Sequence, residues 1–132
     1  PSSDKSTRPG KPPHTNDIYV RTSIDSILEV ERQTGKPLLD SIFSGYQEQM
    51  VEKLQQLKNE IELGDAVSVY KSAHAIKSMS SNIGAKRIIE ISAAMESQGK
   101  KGLLDKVEDD LADLEDAYKE FVMGFQTDYL AT

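Results

Sequence analysis

The chain has 132 residues, no Cys, no Trp, two His and a net charge of −6, from 22 acidic against 16 basic side chains. That length suits one domain with a buried core, and the lack of Cys excludes a disulfide framework, a thiolate metal site and a thiol nucleophile. The two His residues lie far apart, which argues against a histidine zinc site, and the acidity argues against nucleic acid as a partner.

No apolar run reaches the roughly 20 residues needed to span a bilayer, and no basic, then apolar, leader pattern is present. The chain opens on Pro1 rather than Met, which reads as a piece of something longer. Its charge is uneven: residues 1–13 carry +2, residues 14–70 carry −5, residues 71–101 carry +4 and residues 102–132 carry −7. A basic stretch between two acidic ones calls for an explanation.

Residues 1–16 hold four of the five prolines and almost no apolar side chains. Such a segment buries too little surface to offset its ordering entropy, so residues 1–20 are expected to be a flexible linker and residues 21–132 the folded domain. His14 is then a solvated linker histidine. Ile24, Ile27 and Leu28 share one face of a short first helix that Gly35 stops. Pro37 suits the first turn of a long second helix, with Leu39, Phe43, Tyr46, Met50, Leu54, Leu57 and Ile61 in its stripe. Gly64 ends that helix and Asp65 caps the next.

The third helix is expected over about Ala66–Ser81, followed by a corner at Asn82–Gly84. A fourth runs over about Ala85–Gln98 with Ile88, Ile89 and Met95 inward, and Gly99–Gly102 forms a turn. The last helix carries Leu104, Val107, Leu111, Leu114, Tyr118, Phe121 and Phe125 on one face. Its acidic opposite face (Asp105, Glu108, Asp109, Asp113, Asp116) reads as solvated. No segment alternates with period two. The fold expected is all-α: an antiparallel four-helix bundle with a short additional N-terminal helix.

On a wheel at 100° per residue, Ala66, Val69, Tyr70, Ala73, Ile76, Met79 and Ile83 fall on one arc of the third helix, and His74 falls outside it. Lys77, Ser78 and Ser81 lie on the His74 side, with Lys71 one turn earlier. A neutral imidazole is a good nucleophile near pH 7 without a separate base. A phosphoryl group on it would need cationic partners, and Lys77 at i+3 can supply one. Taken alone, His and Lys three residues apart on a helix are a common surface pair.

The longer string HAIKSMSSNIGAKRI, His74 to Ile88, resembles the signature of histidine-containing phosphotransfer (Hpt) domains. That signature has His, an apolar residue at +2, Lys at +3, a small residue at +4, Gly at +10 and an apolar residue at +14. Here these are His74, Ile76, Lys77, Ser78, Gly84 and Ile88. Gly64-Asp65, Ala73 and Met95-Glu96 also fall where the family has similar residues, and the resemblance covers roughly residues 20–128. One departure stands out: the family usually has Gly at +4, where this chain has Ser78, which touches partner preference more than activity.

The resemblance implies a phosphocarrier of a two-component phosphorelay, without ATP-dependent kinase activity of its own. His74 would accept a phosphoryl group from a receiver domain's aspartyl phosphate and pass it to another receiver. Lys77 would stabilise the phosphate, and Ser78, Ser81, Lys71, Lys86, Arg87 and Glu96 would contribute to phosphate or partner docking. Gly84 would be structural, permitting the corner between the third and fourth helices. No cofactor or metal would be bound by the domain, Mg²⁺ being supplied by the receiver.

Further expectations are no nucleic acid, no direct membrane contact and a monomeric domain facing the cytoplasm. The Pro-rich tether suggests the C-terminal end of a hybrid sensor histidine kinase, for which a parent anchored in the inner membrane is compatible; a free-standing carrier competes with it. The alternative class is a helical adaptor that binds receivers without chemistry, against which the presence of both His74 and Lys77 argues. The basic stretch would steer an acidic receiver pocket toward the histidine.

Overall fold

The computed structural model describes residues 18–130, so the expectations for residues 1–17, His14 among them, lie outside the described residues. Five α-helices follow in chain order: α1 Arg21–Thr34, α2 Leu38–Leu63, α3 Ala66–Ile83, α4 Lys86–Lys100 and α5 Val107–Phe125. A π-helical turn, Gln126–Leu130, extends α5. Helices α2 to α5 form the antiparallel bundle, with α3 and α4 sharing the most extensive interface, and α1 lies against α2 and α3. The all-α four-helix bundle with a leading helix is therefore the observed architecture. None of the described helices is long and apolar enough to cross a membrane.

Local chemistry explains the helix ends. Gly35 and Gly64 terminate α1 and α2. Asp65 caps α3, its Oδ1 accepting from Ser68 N at 3.2 Å and its Oδ2 from the Ser68 hydroxyl at 2.7 Å, which satisfies free donors of the first turn. At the start of α2 the cap comes from the preceding helix: Glu31 Oε2 accepts from Leu39 N at 2.9 Å. That interlock fixes α1 on α2.

The stripes meet in one core. Phe43, Tyr46, Met50 and Leu57 of α2, Val69, Ala73 and Ile76 of α3, Ile88 and Met95 of α4, and Leu114, Phe121 and Phe125 of α5 are all buried. Phe43 and Phe125 stack with ring centres 4.6 Å apart, and Phe121 meets Tyr46 edge-on at 5.7 Å. Inside α3 two serines join the core. Ser80 and the Tyr46 hydroxyl lie 2.6 Å apart, and Ser72 donates to Glu60 Oε1 at 2.7 Å. Both pairs satisfy polar groups that burial would otherwise penalise.

Several boundaries differ from the sequence expectation. Ile18 and Tyr19, assigned to the linker of residues 1–20, are buried core residues, 5% and 3% exposed. Val20 N donates to Gly84 O at 2.7 Å, and the Tyr19 ring packs edge-on against Phe121, Phe125 and Tyr129. The folded region therefore begins by Ile18, not at Arg21. The first helix, at 14 residues, is the shortest of the five described. Helix α3 reaches Ile83 because that side chain is buried, which reduces the corner to Gly84 and Ala85. Ile89 and Met79, expected inward, are only half-buried. Leu104 packs on the core from the loop before α5 rather than from within the helix.

Gly99 belongs to α4, not to a turn. A Cβ there would lie 2.7 Å from Tyr70 Cβ and 3.0 Å from Tyr70 N. Only a residue without a Cβ lets the end of α4 press this closely on α3.

Candidate functional site

His74 sits midway along α3 on the flank away from the core, with its side chain 61% exposed. Ala73 and Ile76 beside it are buried, so the helix is anchored by its other face and the imidazole stands on a rigid base. Helix α4 returns antiparallel to α3 and brings Glu96 alongside. Its Oε2 lies 2.8 Å from His74 Nδ1, and its Oε1 lies 2.7 Å from Lys77 Nζ. Lys100, one turn further along α4, stands 3.5 Å from the same Oε2 that meets the imidazole.

The Glu96 side chain is only 9% exposed. Burial alone would raise its pKa. Hydrogen bonds from Lys77 first, and then from His74, outweigh that and hold the carboxyl down to about 2 from the ordinary 4.5. An ionised carboxylate only accepts hydrogen bonds, so the imidazole nitrogen facing it must be the donor. In the neutral ring Nδ1 therefore carries the proton, which leaves the lone pair on Nε2, the nitrogen that points away from Glu96. One carboxylate thus selects the tautomer.

The depressed Glu96 pKa has a consequence for stability. Its contribution is present in full above pH 4.5 and disappears as pH falls toward 2, because the native state must give up an ionised group that the unfolded chain holds less tightly. In urea unfolding, the stability gap between wild type and Glu96→Gln is expected to be constant at higher pH and to close across that acid window. A gap unchanged down to the bottom of the window would contradict the ion cluster.

The remaining expected residues divide by position. Ser78 is exposed one turn after His74, and Lys71, one turn before it, is exposed as well. Ser81 lies two turns from His74, roughly 10 Å along the helix. Its hydroxyl donates back to Lys77 O at 2.8 Å, and it lines a shallow apolar hollow with Ile27, Val30 and Ile42. Lys86 and Arg87 open α4 beyond the end of α3, at the far end from the imidazole, and Arg87 is paired with Glu120 Oε1 at 3.1 Å. The structure thus gathers His74, Lys77 and Glu96 and leaves Ser81, Lys86 and Arg87 apart from them. Lys100 was missed by sequence reasoning; its spacing of four residues from Glu96 was the available signal.

Gly84 is at φ +74°, and a Cβ there would lie 2.5 Å from Val20 O. It holds both the corner and the seat of the Tyr19–Val20 segment. Among the described residues no group of three or more His, Cys, Asp or Glu side chains is placed to hold a metal ion.

Comparison with known proteins agrees with this geometry. The family model described as Hpt domain matches residues 41–123, more than half of the chain. No curated protein matches it. Among solved structures, the histidine-containing phosphotransfer protein B (HptB) of Pseudomonas aeruginosa PAO1 is similar in fold, with a TM-score of 0.70 and 24% identity over 89% of this chain and 95% of that one. The matched span holds α3 and α4 with the imidazole–carboxylate–lysine cluster between them, and the chain belongs to the Hpt domain family, the histidine phosphotransfer modules of phosphorelays.

Proposed function

We propose that His74 is the phosphoacceptor of this domain and that Nε2 is the atom that carries the phosphoryl group. The observation that carries the reading is the 2.8 Å contact between Nδ1 and the ionised Glu96 carboxylate, on a side chain otherwise open to a partner. In the forward step the Nε2 lone pair attacks the phosphorus of a receiver's aspartyl phosphate in line. The P–O bond breaks, and its electron pair leaves with the aspartate carboxylate. Nδ1 keeps its proton, so the loaded ring is positively charged, and Glu96 balances that charge.

In the return step the carboxylate of an acceptor receiver attacks phosphorus, the P–N bond breaks and its pair goes back to Nε2. No proton has to move in either direction. Lys77 holds Glu96 in place and presents its remaining N–H donors beside the imidazole, where they can meet phosphoryl oxygens. The geometry supports a division of labour in which this chain supplies an oriented nucleophile and cations, and the receiver supplies any Mg²⁺. Exposed Ser78 and Lys71 border the imidazole and fit the inner part of a docking surface. Lys86 and Arg87 fit its margin, where they act on approach rather than on chemistry. The domain acts as a monomer, with receivers as donor and acceptor.

The test is to mix the full chain with a phosphorylated receiver and follow the phosphoryl group. Transfer to the chain as an acid-labile adduct is the expected result, and retention on the receiver would overturn the reading. Lys77→Ala is expected to slow transfer about tenfold, the loss of one charge-assisted partner in a partly desolvated site, with helical circular dichroism unchanged. An unchanged rate would remove Lys77 from the mechanism.

A further inference from the structure

Glu96 is faced by two ammonium groups but can neutralise only one. Lys77 makes the tighter pair at 2.7 Å. Lys100 meets the other oxygen at 3.5 Å, on the atom already occupied by the imidazole N–H, and its side chain is 60% exposed. We propose that Lys100 is a second phosphoryl-binding cation, the surplus charge of the site, which leaves Glu96 for a phosphoryl oxygen once His74 is loaded. This inference rests on the reading of His74 as the phosphoacceptor.

The position of Lys100 is built by packing and not by its own exposed stem. Buried Gly99 lets the last turn of α4 press on Tyr70. Tyr70 lies one turn before His74 on α3, and the Lys100 ammonium stands 5.9 Å from the centre of its ring. An aromatic face attracts a cation, so the ring gives Lys100 a seat on the His74 side of the helix pair. An ordinary surface Glu–Lys pair at i,i+4 has no such seat and meets no third group. Here the pair converges on the atom that orients the nucleophile.

Charge arithmetic points the same way. A phosphoryl group brings about −1.5 to −2 charges near neutral pH. The loaded ring and Lys77 supply two positive charges, of which Glu96, facing both, neutralises one. One further cation beside Glu96 balances the loaded state, and Lys100, 3.5 Å from Glu96 Oε2, is the next one. Its withdrawal should raise the pH at which the phosphoryl dianion takes up a proton.

The experiment loads the full chain with potassium phosphoramidate, a small phosphoryl donor that needs no receiver, and follows the phosphorus NMR signal against pH. In Lys100→Ala the second ionisation of the phosphoryl group is expected to move up by about half a pH unit, and the transfer equilibrium with a receiver to move about threefold toward the receiver, the effect of one partly exposed charge contact. Lys100→Arg is expected to restore both. A titration curve for Lys100→Ala that superimposes on wild type would overturn the role of Lys100. Failure of wild-type His74 to take up the phosphoryl group at all would overturn the underlying reading of the site as well.

Discussion

Replacing His74 by Gln is expected to reduce phosphoryl uptake from a receiver by more than about a thousandfold, the scale seen when a nucleophile is removed. The amide nitrogen of Gln shares its lone pair with its carbonyl and is not a nucleophile. Its N–H can still donate to Glu96, so the ion cluster with Lys77 survives. The His74 side chain is 61% exposed and its one hydrogen bond is to Glu96, which puts the stability change within about 1 kcal/mol. Urea unfolding of the variant therefore separates loss of chemistry from loss of fold. Full transfer by His74→Gln would remove His74 as the acceptor.

The largest effect on stability is expected at Gly84. Alanine there must adopt φ near +74°, and its Cβ would lie 2.5 Å from Val20 O and 3.3 Å from Ser23 Cβ. The left-handed conformation alone costs about 1–2 kcal/mol for a residue with a Cβ. The clash is with backbone, not with the end of a flexible side chain, so the Tyr19–Val20 segment has to retreat. Retreat breaks the 2.7 Å bond from Val20 N to Gly84 O, and it uncovers Tyr19, whose hydroxyl donates to Asp128 Oδ2 at 2.7 Å.

Together these losses should destabilise the domain by about 3–5 kcal/mol, a large share of the roughly 5–15 kcal/mol that a domain of this size has. The melting temperature should fall by about 15 °C. His74 itself is untouched, so uptake of the phosphoryl group should persist wherever the variant is folded. A loss below about 1 kcal/mol would contradict the close approach at this corner.

What the sequence discloses is what repeats. The stripe Leu111, Leu114, Phe121 and Phe125 recurs at helical spacing and lands in the core as expected. His74 and Lys77 are legible because they share one helix at a spacing of three. Glu96 is 22 positions from His74, and its bond to Nδ1 depends on the register of α4 against α3, which no local pattern encodes. Gly99 reads as a turn residue when met in sequence, and its packing role against Tyr70 exists only in three dimensions.

Tyr19 reads as part of the linker because an isolated aromatic before the first helical stripe has no period. Its burial comes from the end of α5, more than a hundred residues away. Ser72 and Ser80 look polar in sequence and become interior because Glu60 and Tyr46 receive them. The basic stretch of residues 71–101 proves to be two places. Lys77 and Lys100 converge at Glu96, and Lys86 and Arg87 lie at the far corner with Arg87 already paired to Glu120. Its charge is a mark of the site only in part.

Nitrogen NMR of the chain after it has been loaded by a phosphorylated receiver tests the central claim most directly. The account predicts the phosphoryl group on Nε2 of His74, with Nδ1 still protonated and hydrogen-bonded to Glu96. A phosphoryl group on Nδ1, or on any other residue, would contradict it.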